Sequence, residues 1–363
     1  MALSSRVVSL PSLTGLRGVA ALWVLLYHIQ LLDQAFGLPA SMPVLRDGWQ
    51  GVDLFFVLSG FILMLTHGDE FRTMSPSRVF DFLRLRFFRV YPLATVVLVG
   101  IVVLAVCDPA FALWYAQSGL PPNMSLEGLI RTLFLATRWW EPLAGDWNQP
   151  VWSLSVEILG YLAFPVLALV VVRLGRGFAI LGVAAVCLSV PILAALQPGV
   201  GFGNIEMSGA LTRMFGGFVG GMLVCRLHQV TPVQWGAMRG WLAVAAAAAA
   251  ILLPGAVVFA FAALIYGLAA DAGPANWLLK HPVVMFLGRI SFPLFLLHVM
   301  PLMALAFHLQ QSELPASVRW VALGLFLVLL ATVSWLLHVY VERPAHRFGR
   351  TRQRAAAMPA EAG

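Results

Sequence analysis

Apolar runs of roughly 17 to 25 residues recur along this chain, and that recurrence takes it out of the water-soluble classes. Each run is long enough to cross a hydrocarbon core of about 30 Å as a helix. The runs do not alternate polar with apolar residues, so a barrel of strands does not account for them. Composition agrees: of 363 residues, 60% are hydrophobic and 11% charged, and the mean hydropathy is +0.87. The chain reads as an all-α, polytopic integral membrane protein.

The expected spans are residues 16–36, 51–67, 88–107, 151–172, 178–196, 208–227, 240–254, 256–271, 283–307 and 318–341, about ten transmembrane helices. Only Pro254 and Gly255 divide the pair at 240–271, which also reads as one kinked helix. The segment 124–140 is broken by charges, ends in Trp139 and Trp140, and is expected to lie at the membrane interface. With ten spans and a cytoplasmic N-terminus, all but five of the 23 basic residues fall on the cytoplasmic side. The five are Arg46, Arg131, Arg138, Arg213 and Arg319. This bias supports a multi-pass protein with both termini in the cytoplasm. It also explains the net charge of +7 without nucleic acid.

The membrane-embedded domain is expected over 1–348, followed by a short basic, Ala-rich cytoplasmic tail, 349–363, read as disordered. The first span lacks a small-residue cleavage site and reads as retained. Cys107, Cys187 and Cys225 show no metal-ligand spacing, and no metal is expected. There is no HExxH, P-loop or G-x-S-x-G motif.

Chemistry enters with "LTGLRGVAALWVLLYHIQLL", an apolar helix that holds Arg17 and His28. Eleven residues at about 100° make three turns plus about 20°, so the two share a face, about 16 Å apart along the axis. Arg17 reads either as a snorkelling anchor at the cytoplasmic mouth or as a ligand. His28 reads either as a buried histidine bonded to a neighbouring helix or as a functional group, since an ionisable side chain at membrane depth is expensive.

Other polar residues gather at the two ends of that axis. Arg84, Arg86 and Arg89 stand where the third span leaves the cytoplasm. Arg86 and Arg89 are neighbours on one helix surface. With Arg17 they suit phosphate, which guanidinium forks bind bidentately, although the positive-inside bias explains them equally. Asp53, in "GVDLFFVLSGFIL", lies near the expected depth of His28 and either orients its imidazole or serves the helix macrodipole. Glu157, in "WSLSVEILGYLAFP", either pairs with Arg213 or binds a hydroxyl-bearing acceptor. Trp152 belongs to an outer cluster with Trp114, Trp139, Trp140 and Trp147, readable as an interfacial belt or as a surface for sugar rings. In "FLGRISFPLFLLHVMPL", His298 reads as a core histidine.

Taken together these segments resemble the membrane-bound acyltransferase 3 family, whose members acylate surface polysaccharides, nodulation factors and some antibiotics. The arginine, ten residues, histidine spacing, "GVDLFFVLSGFIL", the R-x-x-R of Arg86 and Arg89, "WSLSVEILGYLAFP" and "GRISFPLFLLH" come in the family's order, from about Leu10 to Phe348. The resemblance implies an O-acyltransferase taking its group from acyl-coenzyme A, most simply acetyl-coenzyme A, with no bound cofactor. The acceptor would be a hydroxyl of a carbohydrate or lipid-linked sugar. It implies His28 as catalytic base or acyl carrier, and Arg17, Arg86 and Arg89 on the coenzyme A phosphates. Asp53 falls in the family's G-V-D motif and Glu157 in its W-S-L-x-x-E motif. Two departures stand out: Ile158, Leu159 and Gly160 follow the glutamate where the family usually has a polar or aromatic residue, and no fused hydrolase-like domain follows "VERPAHRF". Any second transfer step would therefore need a separate protein.

A different class of function is also readable: a secondary transporter using His28, Asp53 and Glu157 as a proton relay. The missing inverted repeat and the arginines massed at one mouth weigh against it.

Overall fold

A computed structural model describes residues 10–36, 43–118, 123–141, 145–196, 207–231, 236–252 and 257–356. The described residues form helices and connecting turns, with no strand among them. In chain order the principal helices are α1 (Pro11–Leu31), α2 (Gly51–His67), α3 (Pro76–Cys107), α4 (Pro109–Gln117) and α5 (Leu126–Leu133). There follow α6 (Val151–Val171), α7 (Arg176–Leu196), α8 (Met207–Val230), α9 (Gly236–Leu252) and α10 (Val257–Leu268). The last are α11 (Pro282–Leu297), α12 (Val299–Gln310), α13 (Ala316–Leu337) and α14 (Arg343–Ala356).

Six helical stretches among the described residues are long and apolar enough to cross a membrane, or seven if the bent pair α11 and α12 counts as one span. The shorter apolar stretches Arg176–Ser189 and Phe259–Leu268 fall below that length. The described residues of the expected segments fall largely on helices, of which six or seven have the length and hydropathy of a span. Residues 253–256, with Pro254 and Gly255, are outside the described residues. The outward faces are apolar, as lipid requires: Leu325 and Val328 of α13 are each 67% exposed. The protein is a multi-pass membrane protein.

Local chemistry sets the helix ends. Ser75 is extended before α3 and Pro76 opens it, because proline's missing N–H costs nothing in the first turn. The Asp108 side chain accepts from the Phe111 N–H at 3.2 Å and caps α4; Ser125 caps α5 through the Gly128 N–H at 3.0 Å.

The chain divides into two compact units. The first comprises Met1–Tyr27, Met42–Met74 and Ala163–Arg289. Its centre is the contact of α2 with α8, where glycines let the backbones approach. A Cβ at Gly60 would collide with the Phe218 carbonyl, and one at Gly221 with that of Val57. At the start of α1, Ser12 donates to Asp271 at 3.4 Å, and Asp271 is paired with Lys280 at 2.6 Å.

The second unit comprises His28–Ser41, Ser75–Leu162 and Ile290–Gly363. Here α14 packs on α3, and a single π-helical turn, His338–Glu342, joins α13 to α14. Such single π turns inside α-helical stretches are frequent at functional sites. This one directs Glu342, 2% exposed, onto Arg89 and His338. Helix α14 runs on through Ala356, where Arg and Ala are good helix formers; residues 357–363 are outside the described part.

Candidate active site

The site in the second unit is built around the histidine of the first span. His28 stands in the last turn of α1, which runs unbroken through both Arg17 and His28. Its two ring nitrogens have different neighbours. Nε2 lies 3.2 Å from Oε1 of Gln149, and Nδ1 lies 3.2 Å from Nε2 of His298. The two imidazoles meet edge to face, with centroids 4.9 Å apart and planes at 72°.

His298 comes to this place because the span expected at 283–307 is broken. Helices α11 and α12 meet at His298 with a bend of 61°, between Pro293 and Pro301, which interrupt the helical hydrogen-bond ladder. The ring of His298 is fully buried and folds back on its own helix. Its Nδ1 lies 2.8 Å from the Phe295 carbonyl and 3.2 Å from that of Leu294. A third carbonyl at the bend, Leu296, accepts from Nδ2 of buried Asn148 at 3.0 Å. Asn148 and Gln149 are adjacent in the turn before α6, so one dipeptide braces the bend and faces His28.

That turn is itself held from outside the membrane-spanning segments. Arg138 binds both oxygens of Asp146, at 3.2 and 3.0 Å, and its N–H donates to Ser155 Oγ at 2.9 Å. The indoles of Trp139 and Trp147 donate to the Ser155 and Ser125 carbonyls, each at 2.7 Å. Trp140 lies under the Arg131 guanidinium, 4.6 Å from ring centroid to Cζ. Several tryptophans of the outer cluster thus have structural partners, and Trp152 is buried at the start of α6.

Lower on α3, Arg86 and Arg89 part company. Arg89 is ion-paired with Glu342 and stacks on Phe292 at 5.5 Å. Arg86 lies over Phe82 at 5.7 Å and lines a cavity of about 470 Å³ with Arg84, Tyr91, Ile158 and Tyr161. Glu157, which the sequence leaves between Arg213 and an acceptor, is half-buried on α6, one turn before Tyr161.

In the first unit the expected roles of Asp53 and Arg213 change. Arg213 of α8 binds both carboxylate oxygens of Asp53, from Nε at 2.8 Å and from Nη2 at 3.1 Å, with its guanidinium 5.0 Å from the Trp49 ring. The carboxylate expected to orient His28 is therefore engaged by an arginine, and the arginine expected opposite Glu157 holds Asp53. The reason is geometric: α2 and α8 pack at glycine distance, and the pair lies on that contact.

Sequence reasoning missed Asn148 and Gln149; it reads His298 as a core histidine, which the fully buried ring bears out, but not its contact with His28. The signals were present. "NQP" places two amides directly before an apolar helix, and His298 is an ionisable group flanked by two prolines at membrane depth, the pattern of a broken functional helix. Among the described residues no group of His, Cys, Asp and Glu could hold a metal ion.

An acyltransferase-domain family, acyltransferase 3, matches residues 10–339. Acyltransferase MdmB of Streptomyces mycarofaciens is 30% identical over 98% of this chain and 96% of that protein. A putative O-acetyltransferase of Staphylococcus aureus strain COL is 26% identical over 49% of this chain, and the match spans 29% of that protein. O-acetyltransferase OatA of Staphylococcus aureus strain NCTC 8325 is 27% identical over 43% of this chain and 24% of its own length. No solved structure matches the chain.

Proposed function

The chain belongs to the acyltransferase 3 family and is an acyltransferase, and from that premise we propose that it moves an acyl group, most simply acetyl, from acyl-coenzyme A to a hydroxyl of a glycan or lipid-linked sugar. The observation that carries the catalytic assignment is His28, held in one orientation through both ring nitrogens.

His28 is the general base. Its neutral imidazole takes the acceptor hydroxyl proton while that oxygen attacks the thioester carbonyl carbon. The C–S bond then breaks, and the proton passes to the departing thiolate. Arg86, which lines the cavity on α3, carries phosphate of the donor, because guanidinium forks match phosphate and keep their charge. Arg89 serves mainly through its pair with Glu342, which fixes the π-helical turn beside α3. In this reading there are ten spans, both termini are cytoplasmic, the membrane is a bacterial inner membrane, and the donor enters from inside.

The test is acyl transfer by purified protein in detergent or nanodiscs. Wild-type protein releases coenzyme A from acetyl-coenzyme A in the presence of a sugar acceptor, and His28→Ala inserts normally but releases none above background. Full activity in that variant overturns the assignment. An intact thioester with every acceptor offered, alongside proton-coupled substrate movement, would favour the transporter instead.

A further inference from the structure

The hydrogen bonds of the two histidines fix where the protons sit, and we propose that His298 is a positioning residue that locks His28 in the tautomer with its lone pair on Nε2. This inference rests on the reading of His28 as the base.

The argument starts at the buried end. Nδ1 of His298 faces the carbonyls of Phe295 and Leu294, and a carbonyl can only accept, so Nδ1 carries the proton. A neutral imidazole has one N–H, which leaves Nε2 of His298 as an acceptor. The atom it faces at 3.2 Å, Nδ1 of His28, must therefore be the donor. His28 in its neutral form then has its lone pair on Nε2, the nitrogen turned toward Gln149. The hydrogen bond made by one ring nitrogen decides which of the two does the chemistry.

Gln149 suits both protonation states of that nitrogen. Its Oε1, which faces Nε2 at 3.2 Å, accepts from the Nε2–H of the imidazolium, and a half-turn about the terminal torsion presents the amide N–H₂ to the bare lone pair of the neutral ring. When His28 takes up a proton, its Nδ1–H···Nε2 bond to His298 becomes charge-assisted and stronger. The proton goes no further. His298 cannot pass one on, because its other nitrogen is capped by backbone carbonyls in a fully buried site. His298 thus stabilises the imidazolium without draining it, and the proton remains available for the leaving thiolate.

The acceptor at His298 Nε2 can be removed and restored. His298→Leu is expected to lower kcat by about 100-fold or more, with the KM for acetyl-coenzyme A little changed, because general-base catalysis contributes about that much. It should also move the acid limb of the pH profile downward, since the imidazolium loses its acceptor. His298→Gln places Oε1 near the lost Nε2 and should recover at least tenfold of that loss and return the acid limb toward its original position. In wild-type protein with ¹⁵N-labelled histidine, the His28 signal assigned through His28→Ala should show Nε2 unprotonated and Nδ1 protonated at neutral pH.

Equal activity and an unmoved acid limb in the Leu and Gln variants, or the opposite tautomer by ¹⁵N, would overturn the inference. If His28→Ala is inactive in that same experiment, the base assignment survives while the positioning role fails; if His28→Ala is fully active, both fail. Should the Leu variant not fold, the wild-type tautomer and the Gln variant still decide.

Discussion

Arg213 and Asp53, 160 positions apart in sequence, form a two-point ion pair at 2.8 and 3.1 Å on the glycine-lined contact of α2 with α8. Both side chains are largely buried, at 6% and 12% exposure. Breaking such a pair from one side strands a charge away from water. Arg213→Ala is expected to cost about 3–5 kcal/mol, seen as a lower thermal midpoint in detergent. Exchanging the two residues should recover part of the loss. A swap no better than the single substitution would show that the pair's charges are not what the contact needs.

Arg86 and Arg89 should separate in assay although they share one motif. Arg86→Ala is expected to raise the KM for acetyl-coenzyme A about tenfold, as loss of one charge-assisted phosphate contact predicts, while leaving the melting temperature near that of the wild type. Arg89→Ala leaves Glu342 buried without its arginine and should chiefly lower stability. Donor titrations and thermal melts on the same preparations distinguish the two; identical profiles would refute the division.

Asn148 braces the bend at His298 without touching His28 in the described contacts. Asn148→Ala removes the donor to the Leu296 carbonyl and leaves a buried acceptor unmet, a loss of about 1–3 kcal/mol. Because the bend aims His298, the variant should lose kcat as well as stability. Asn148→Asp, which keeps the shape but not the N–H, should fail in the same way. Wild-type kcat in both would mean that the prolines alone hold the bend.

Acid sensitivity has a contributor in the turn after α3, where Asp108 meets His308. The hydrogen bond from His308 to Asp108, at 2.6 Å, holds that carboxyl below its usual range, helped by the Phe111 N–H and opposed by desolvation. A depressed carboxylate stabilises the fold fully above its unfolded value of about 4 and loses that contribution as pH falls through the folded value. The site is exposed, so the effect is small. Asp108→Asn should flatten the midpoint-against-pH curve slightly below about pH 4, and an unchanged slope would show that the pair contributes nothing measurable.

Much of the site was legible along single helices and little of it across them. The spacing of Arg17 and His28 on one face follows from 100° per residue, and α1 is continuous through both. The neighbourhood of Arg86 and Arg89 on α3 follows in the same way, but their division of labour does not, since it depends on Glu342 arriving from a π-helical turn 253 positions later. Asp53 illustrates the limit most clearly. Its depth was estimated from position along a helix, whereas its partner was chosen by which helix packs against it.

The sequence by itself determined a helical, lipid-exposed, multi-pass protein, because apolar runs of this length leave the backbone no way to satisfy its hydrogen bonds in hydrocarbon except as helices. It also determined that the first span carries a cation and an imidazole on one face. Tertiary structure alone decided which groups those side chains meet. His28 finds Gln149 from 121 positions away and His298 from 270. No local period encodes those meetings; they come from a helix broken between two prolines, a turn that braces the break, and the high cost of leaving a buried ring nitrogen without a partner.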